Sequence, residues 1–187
     1  ALHLGLLAKK QYMSIAGPML CSDFGRDNPN FFTQQHFWRL ITQARYTISV
    51  QTPDDDNPSL AVSGILWGGN LAILAHLVGT PYFPQIEQGI LFIEDINEHP
   101  YRVERMLLQL LYSGVLEKQQ ALILGQFTEY RLSDYDNGYD FAAMLDYLRQ
   151  KINIPILTQL PFGHTPERIS LPVGAQATLV SDPDGYV

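Results

Sequence analysis

Two wholly apolar runs stand out along the chain, Ile-Leu-Phe-Ile at residues 90–93 and Ala-Leu-Ile-Leu at residues 121–124. Short runs without polar alternation are expected of strands buried on both faces of a sheet. The first run ends abruptly in Glu94 and Asp95. Beyond Pro100, the apolar residues Val103, Met106, Leu107, Leu110 and Leu111 recur at i, i+3, i+4, i+7 and i+8, which predicts one buried helix face. A buried strand that ends in a carboxylate and turns into a helix is how α/β proteins present functional groups, at the carboxyl ends of their strands.

The remaining pattern fills in around this unit. Leu2, Leu6 and Leu7 have helical spacing, and Lys9 and Lys10 close the segment as a last helical turn would. A short strand is predicted over residues 12–16, ended by Gly17-Pro18, and a loop over residues 19–30. Asn30 can cap a helix bearing Phe31, Phe37, Trp38 and Ile41. Residues 46–50 alternate as a half-buried strand, and residues 60–67 form another. Gly68-Gly69-Asn70 then leads into a helix through Leu71, Leu74, His76, Leu77 and Val78, stopped by Gly79. After the second apolar run come a helix core over residues 141–148 and strands over residues 154–157, 169–171 and 177–180. Helices alternate with buried strands in the middle, and the ends are richer in β-structure.

Composition narrows the class of protein. The 187 residues suffice for one full domain or two small ones. A net charge of −7 with scattered basic residues argues against nucleic acid as a partner. No apolar run approaches the roughly 18 residues of a membrane-spanning helix. Cys21 is the single cysteine, which excludes an internal disulfide and a cysteine metal cluster. No secretory pattern is present, so a cytoplasmic protein is expected. The opening helix has neither Met nor a capping residue ahead of it, which suggests that upstream sequence is missing. Asp54, Asp55 and Asp56 read as a solvated turn in preference to a metal site.

Candidate chemistry concentrates on two residues. His3, His36 and His76 fall inside helical patterns and read as surface or packed residues, and His99 before Pro100 reads as a local hydrogen-bonding group. His164 lies in Pro161-Phe162-Gly163-His164-Thr165-Pro166, a loop after a predicted strand, with a glycine that permits close backbone approach. A Glu and a His on separate loops at strand ends fit the orienting acid and general base of a nucleophilic triad. Glu94 also fits a helix cap, or one half of a glycosidase carboxylate pair with Asp95 or Glu98. No glycine-rich nucleotide loop and no His-rich zinc motif occurs.

Four segments carry a family resemblance that covers essentially the whole chain. They are Gly17-Pro18-Met19-Leu20, Leu66-Trp67-Gly68-Gly69-Asn70-Leu71, the run from Leu91-Phe92-Ile93-Glu94-Asp95 to Tyr101-Arg102-Val103-Glu104-Arg105, and Phe162-Gly163-His164. Together they resemble the murein tetrapeptide L,D-carboxypeptidases, serine peptidases that share their fold with the microcin-immunity peptidases. The resemblance implies an α/β fold: the end of a Rossmann-like N-terminal domain with its linker over residues 1–50, then a mixed, β-rich, swivelling-type C-terminal domain over residues 51–187. It implies a Ser-Glu-His triad that releases the terminal D-alanine from murein tetrapeptides in cell-wall recycling. Glu94 would be the triad acid and His164 the base. Trp67 and Asn70, near a strand-to-helix turn, are candidates for substrate contact on their position alone; their plainer readings are core aromatic and helix cap. No metal or organic cofactor, nucleic acid or membrane is called for, and a homodimer is compatible.

The nucleophile is where the chain departs from the family. It belongs to a Gly-x-Ser-Asp-x-Thr elbow, and Ala1-Leu2-His3 resembles the residues immediately after that Thr. The serine would then lie upstream, and these residues alone are expected not to turn over substrate. Cys21-Ser22-Asp23-Phe24 does not substitute, because Leu20 stands where an elbow needs Gly, and Gly17-Pro18 and Gly25 interrupt the flanking elements. A non-catalytic muropeptide-binding module is the rival reading.

Overall fold

A computed structural model of the chain describes residues 1–52 and 57–187. In chain order, α1 (Leu2–Lys10) and β1 (Ser14–Ala16) lead through a π-helical turn (Leu20–Phe24) to α2 (Phe31–Thr42) and β2 (Val50–Gln51). Then follow β3 (Leu60–Asn70), α3 (Leu71–Leu77), β4 (Gly89–Ile96), α4 (Pro100–Tyr112) and β5 (Gln119–Thr128). The chain ends with α5 (Phe141–Lys151), β6 (Ile156–Leu157), β7 (Leu171–Val173), β8 (Ala175–Asp182) and β9 (Gly185–Tyr186).

The two apolar runs lie at the centre of a seven-stranded mixed sheet of order β2-β9-β8-β3-β4-β5-β6. Strands β3 to β6 pair in parallel, and β2, β9 and β8 extend the sheet antiparallel beyond β3. Parallel neighbours need a crossover, and α3 and α4 supply those from β3 to β4 and from β4 to β5. The predicted face of α4 is the buried one: Val103, Leu107 and Leu110 are fully enclosed. Each such side chain contributes roughly 1.5–3 kcal/mol by leaving water. The loop after β6 also joins the core, with the Phe162 ring edge-on to Phe92 at 5.1 Å. A separate antiparallel pair, β1 with β7, brings the first residues against the last third of the chain, and Leu4 and Leu7 of α1 are buried in the shared core.

Local signals place the helix starts. Asn70 Oδ1 accepts from Ile73 N at 3.1 Å, and Asp140 Oδ1 accepts from Ala143 N at 2.9 Å. Pro100 occupies the first turn of α4, with His99 as its cap. Among the described residues, no helix is long and apolar enough to cross a membrane.

Several expectations shift. The strand expected over residues 46–50 shrinks to Val50 and Gln51, because only these two find ladder partners, Tyr186 and Gly185. Within the loop over residues 19–30, residues 20–24 coil into the π-helical turn. The terminal strands lie at Leu171–Val173 and Ala175–Asp182, where β8 pairs with β3 from Leu66↔Ala175 to Leu60↔Ser181. Trp67 requires a correction as a substrate contact. It is fully buried, packs edge-on to Phe83, and donates its indole N–H to Gln119 Oε1 at 2.9 Å, so no face is left for a ligand. The Asp54–56 turn lies outside the described residues.

Candidate active site

Glu94 sits near the carboxyl end of β4, and a bulge in the neighbouring strand gives it room. Ile93 pairs with Leu124, but Asp95 pairs with Phe127, so Gly125 and Gln126 together oppose Glu94. Bulges of this kind re-aim side chains and are common beside active sites. The loop that follows β6 is stitched onto the bulge: Leu160 N donates to Leu124 O at 3.1 Å, and Gln126 N donates to Phe162 O at 2.8 Å. Gln126 Nε2 adds a bond to Leu160 O at 3.2 Å.

Two glycines make that approach possible. A β-carbon on Gly125 would lie 2.5 Å from the Phe162 carbonyl oxygen and 3.3 Å from Glu94 Cβ. Gly163 has φ +140°, and a β-carbon there would lie 2.9 Å from Gln126 O and 3.3 Å from Glu94 Cβ. The loop can therefore pass directly over the acid, and the next residue delivers its ring. His164 Nδ1 lies 2.8 Å from Glu94 Oε2. Glu94 is 5% exposed. The His164 side chain is 52% exposed, so the pair has one buried end and one open end.

That asymmetry decides what the pair can do. A carboxylate accepting from Nδ1–H fixes the imidazole tautomer and leaves Nε2 as the basic nitrogen. Burial pushes the Glu94 carboxyl above its ordinary pKa, and hydrogen bonding and charge from His164, with a bond from Asn70, pull it partly back. Among the described residues, the imidazole's one hydrogen bond is to Glu94, and no hydroxyl bonds its ring.

The other candidates separate by their partners. Asn70, opposite Glu94 in the β3–β4 register, caps α3 and donates Nδ2 to Asp95 Oδ1 at 2.7 Å. Asp95 also accepts from Ala72 N at 2.8 Å and Ile96 N at 2.9 Å, so its oxygens serve the start of α3. Glu98 lies 3.8 Å from Arg102. Both acids thus have partners other than Glu94. His3 bonds Ser14, His36 bonds Tyr46, and His99 lies 3.1 Å from Asp136. Among the described residues, no group of three or more His, Cys, Asp or Glu side chains could hold a metal ion. A cavity of about 510 Å³ lies beyond the bulge, lined by Gln126, Tyr130, Asp140 and Arg149, and includes neither Glu94 nor His164. The role of Gly125 carried no signal of its own in the sequence, since it depends on the strand register.

Comparison with known proteins gives this geometry a context. Residues 63–179 match the family described as the LD-carboxypeptidase C-terminal domain. A crystal structure of muramoyltetrapeptide carboxypeptidase from Oxalobacter formigenes superposes with a TM-score of 0.94 at 52% identity, covering 99% of this chain and 62% of that one. A Bacillus subtilis protein named "Probable murein peptide carboxypeptidase" is 28% identical over 95% of this chain and 56% of its own length. The microcin C7 self-immunity protein of Escherichia coli is 27% identical over 97% of this chain and 60% of its own. The chain thus spans less than two thirds of the length of these relatives.

Proposed function

The chain belongs to the LD-carboxypeptidase family through its C-terminal domain, and on that premise we propose that it supplies the acid and base of a serine-type L,D-carboxypeptidase that releases terminal D-alanine from murein tetrapeptides. The observation that carries the proposal is the 2.8 Å contact between His164 Nδ1 and a buried Glu94, with the ring half open to solvent. Glu94 holds the tautomer and stabilises the imidazolium; His164 Nε2 takes the proton of a serine hydroxyl and returns it to the D-alanine amine as the bond breaks. The serine and the oxyanion-binding amides come from a part of the enzyme outside these 187 residues, as the greater length of the relatives supports. Asn70 lines the acid's side of the site and is the remaining candidate for substrate contact. In the same reading, residues 1–50 are the end of a preceding domain with its linker, and residues 51–187 are the domain that bears the pair.

D-Alanine release from a murein tetrapeptide by the full-length protein tests this. His164→Ala should abolish release, whereas Ser22→Ala should leave it unchanged. Activity retained in the His164 variant, or lost in the Ser22 variant, reverses the roles.

A further inference from the structure

The π-helical turn that cannot serve as a nucleophile elbow contains a side chain with another use. Asp23 is 6% exposed. Its Oδ2 accepts the Met19 amide at 2.6 Å and the guanidinium Nη2 of Arg168. Arg168 Nη1 in turn donates to Thr165 O at 2.9 Å, one residue beyond His164. Thr33, fully buried in the first turn of α2, closes the same loop twice. Its hydroxyl donates to Pro166 O at 3.2 Å and accepts from Arg168 N at 3.1 Å. Gln34 Nε2 fixes the other end by donating to Asp23 O at 2.9 Å.

His164 itself has few holds. Its ring has the Glu94 bond, its carbonyl accepts a long 3.4 Å bond from Thr128 Oγ1, and half its side chain faces water. A half-exposed ring on a loop does not keep a catalytic geometry by packing, so the neighbouring backbone must supply the rigidity. Burial would push the Asp23 carboxyl up, but the Arg168 guanidinium and the Met19 amide hold it below its ordinary value, which keeps the tie ionic. We propose that Asp23 and Arg168, with Thr33 between them, are positioning residues that clamp the loop over residues 164–168 so that the His164 ring stays in reach of Glu94. The inference rests on the triad reading for its catalytic consequence, though not for its geometry.

Two measurements test it. On this chain, nitrogen-15 NMR of the His164 imidazole should report one tautomer with the proton on Nδ1. Asp23→Asn and Thr33→Val should give averaged or mixed tautomers while thermal unfolding remains cooperative. In the full-length enzyme the same variants should lower kcat by about 10- to 100-fold, as small misplacements of catalytic groups do, with KM within about threefold. Arg168→Lys keeps the charge but not the fork, so it should recover part of what Arg168→Ala loses. Folded Asp23 and Thr33 variants with an unchanged imidazole spectrum and unchanged kcat overturn the clamp, as does a loss confined to KM. If His164→Ala still releases D-alanine while Asp23→Asn perturbs the imidazole, the clamp stands and the triad reading falls.

Discussion

As the proposed orienting acid, Glu94 would have to be an anion where burial opposes charge, and that conflict is measurable. Its pKa is raised in the fold. A carboxyl that holds its proton more tightly when folded contributes stability that is complete below the unfolded value, about 4.3, and lost as pH rises through the folded value. Glu94→Gln has no such proton to lose. Its Tm relative to the parent should therefore rise between about pH 4 and about pH 7, as thermal unfolding at the two pH values would record. The same variant should cost the full-length enzyme up to about four orders of magnitude in kcat, the size of effect known for neutralising the orienting acid of a serine triad. A Tm difference that does not change with pH would sink the buried-charge account. Gly163 makes the complementary case. Alanine there must adopt a φ of +140° with its β-carbon 2.9 Å from Gln126 O. A loss of about 1–3 kcal/mol in urea unfolding is expected from that strain.

At the scale of elements, the strand β4 and its two flanking helices form one device. Asn70 caps α3 with Oδ1 and ties Asp95 with Nδ2, so one amide serves the helix start and the end of β4. Asn70→Ala should cost about 1–2 kcal/mol from the cap alone. Asp140→Ala, at the cap of α5, should cost a similar amount without reducing D-alanine release in the full-length enzyme. The apolar runs, the α4 face and the caps at Asn30, Asn70 and Asp140 were legible beforehand or follow local rules, since each involves residues within a turn or two of one another. The shortened strand at Val50 and the shifted β7 and β8 were not. Strand limits depend on the partner's reach, and the partner lies more than a hundred residues away. Trp67 illustrates the same limit for a side chain: beside Gly-Gly-Asn it resembles a binding aromatic, but its indole N–H already belongs to Gln119.

The whole molecule brings together groups that are remote along the chain. Glu94 and His164 meet across 70 residues, and Asp23 and Arg168 across 145. Both meetings occur on the loop between β6 and β7, which passes over β4 and β5 with Phe162 seated on Phe92. The Glu94–His164 contact is therefore assembled within this chain, and under the proposed mechanism the nucleophile comes from elsewhere in the enzyme. The isolated 187-residue chain should give the single imidazole tautomer by NMR and yet release no D-alanine from tetrapeptide. Release by the isolated chain would require a nucleophile among these residues and would overturn the proposed division of labour.

By itself, the sequence determined the elements whose causes are local: two strands too apolar to face water, helices with one apolar stripe, and turns where Asn, Gly and Pro leave few backbone choices. It also singled out Glu94 and His164, because a charge at a buried strand end and a Gly-His loop are unusual placements. The tertiary structure alone decided the β5 bulge that makes room for Glu94, the burial of Trp67, the use of Asp95 to hold α3, and the tie from Asp23 to Arg168. Each of these depends on which distant segments pack together and in what register. That outcome is set by the collective burial of the core and is carried by no short stretch of residues.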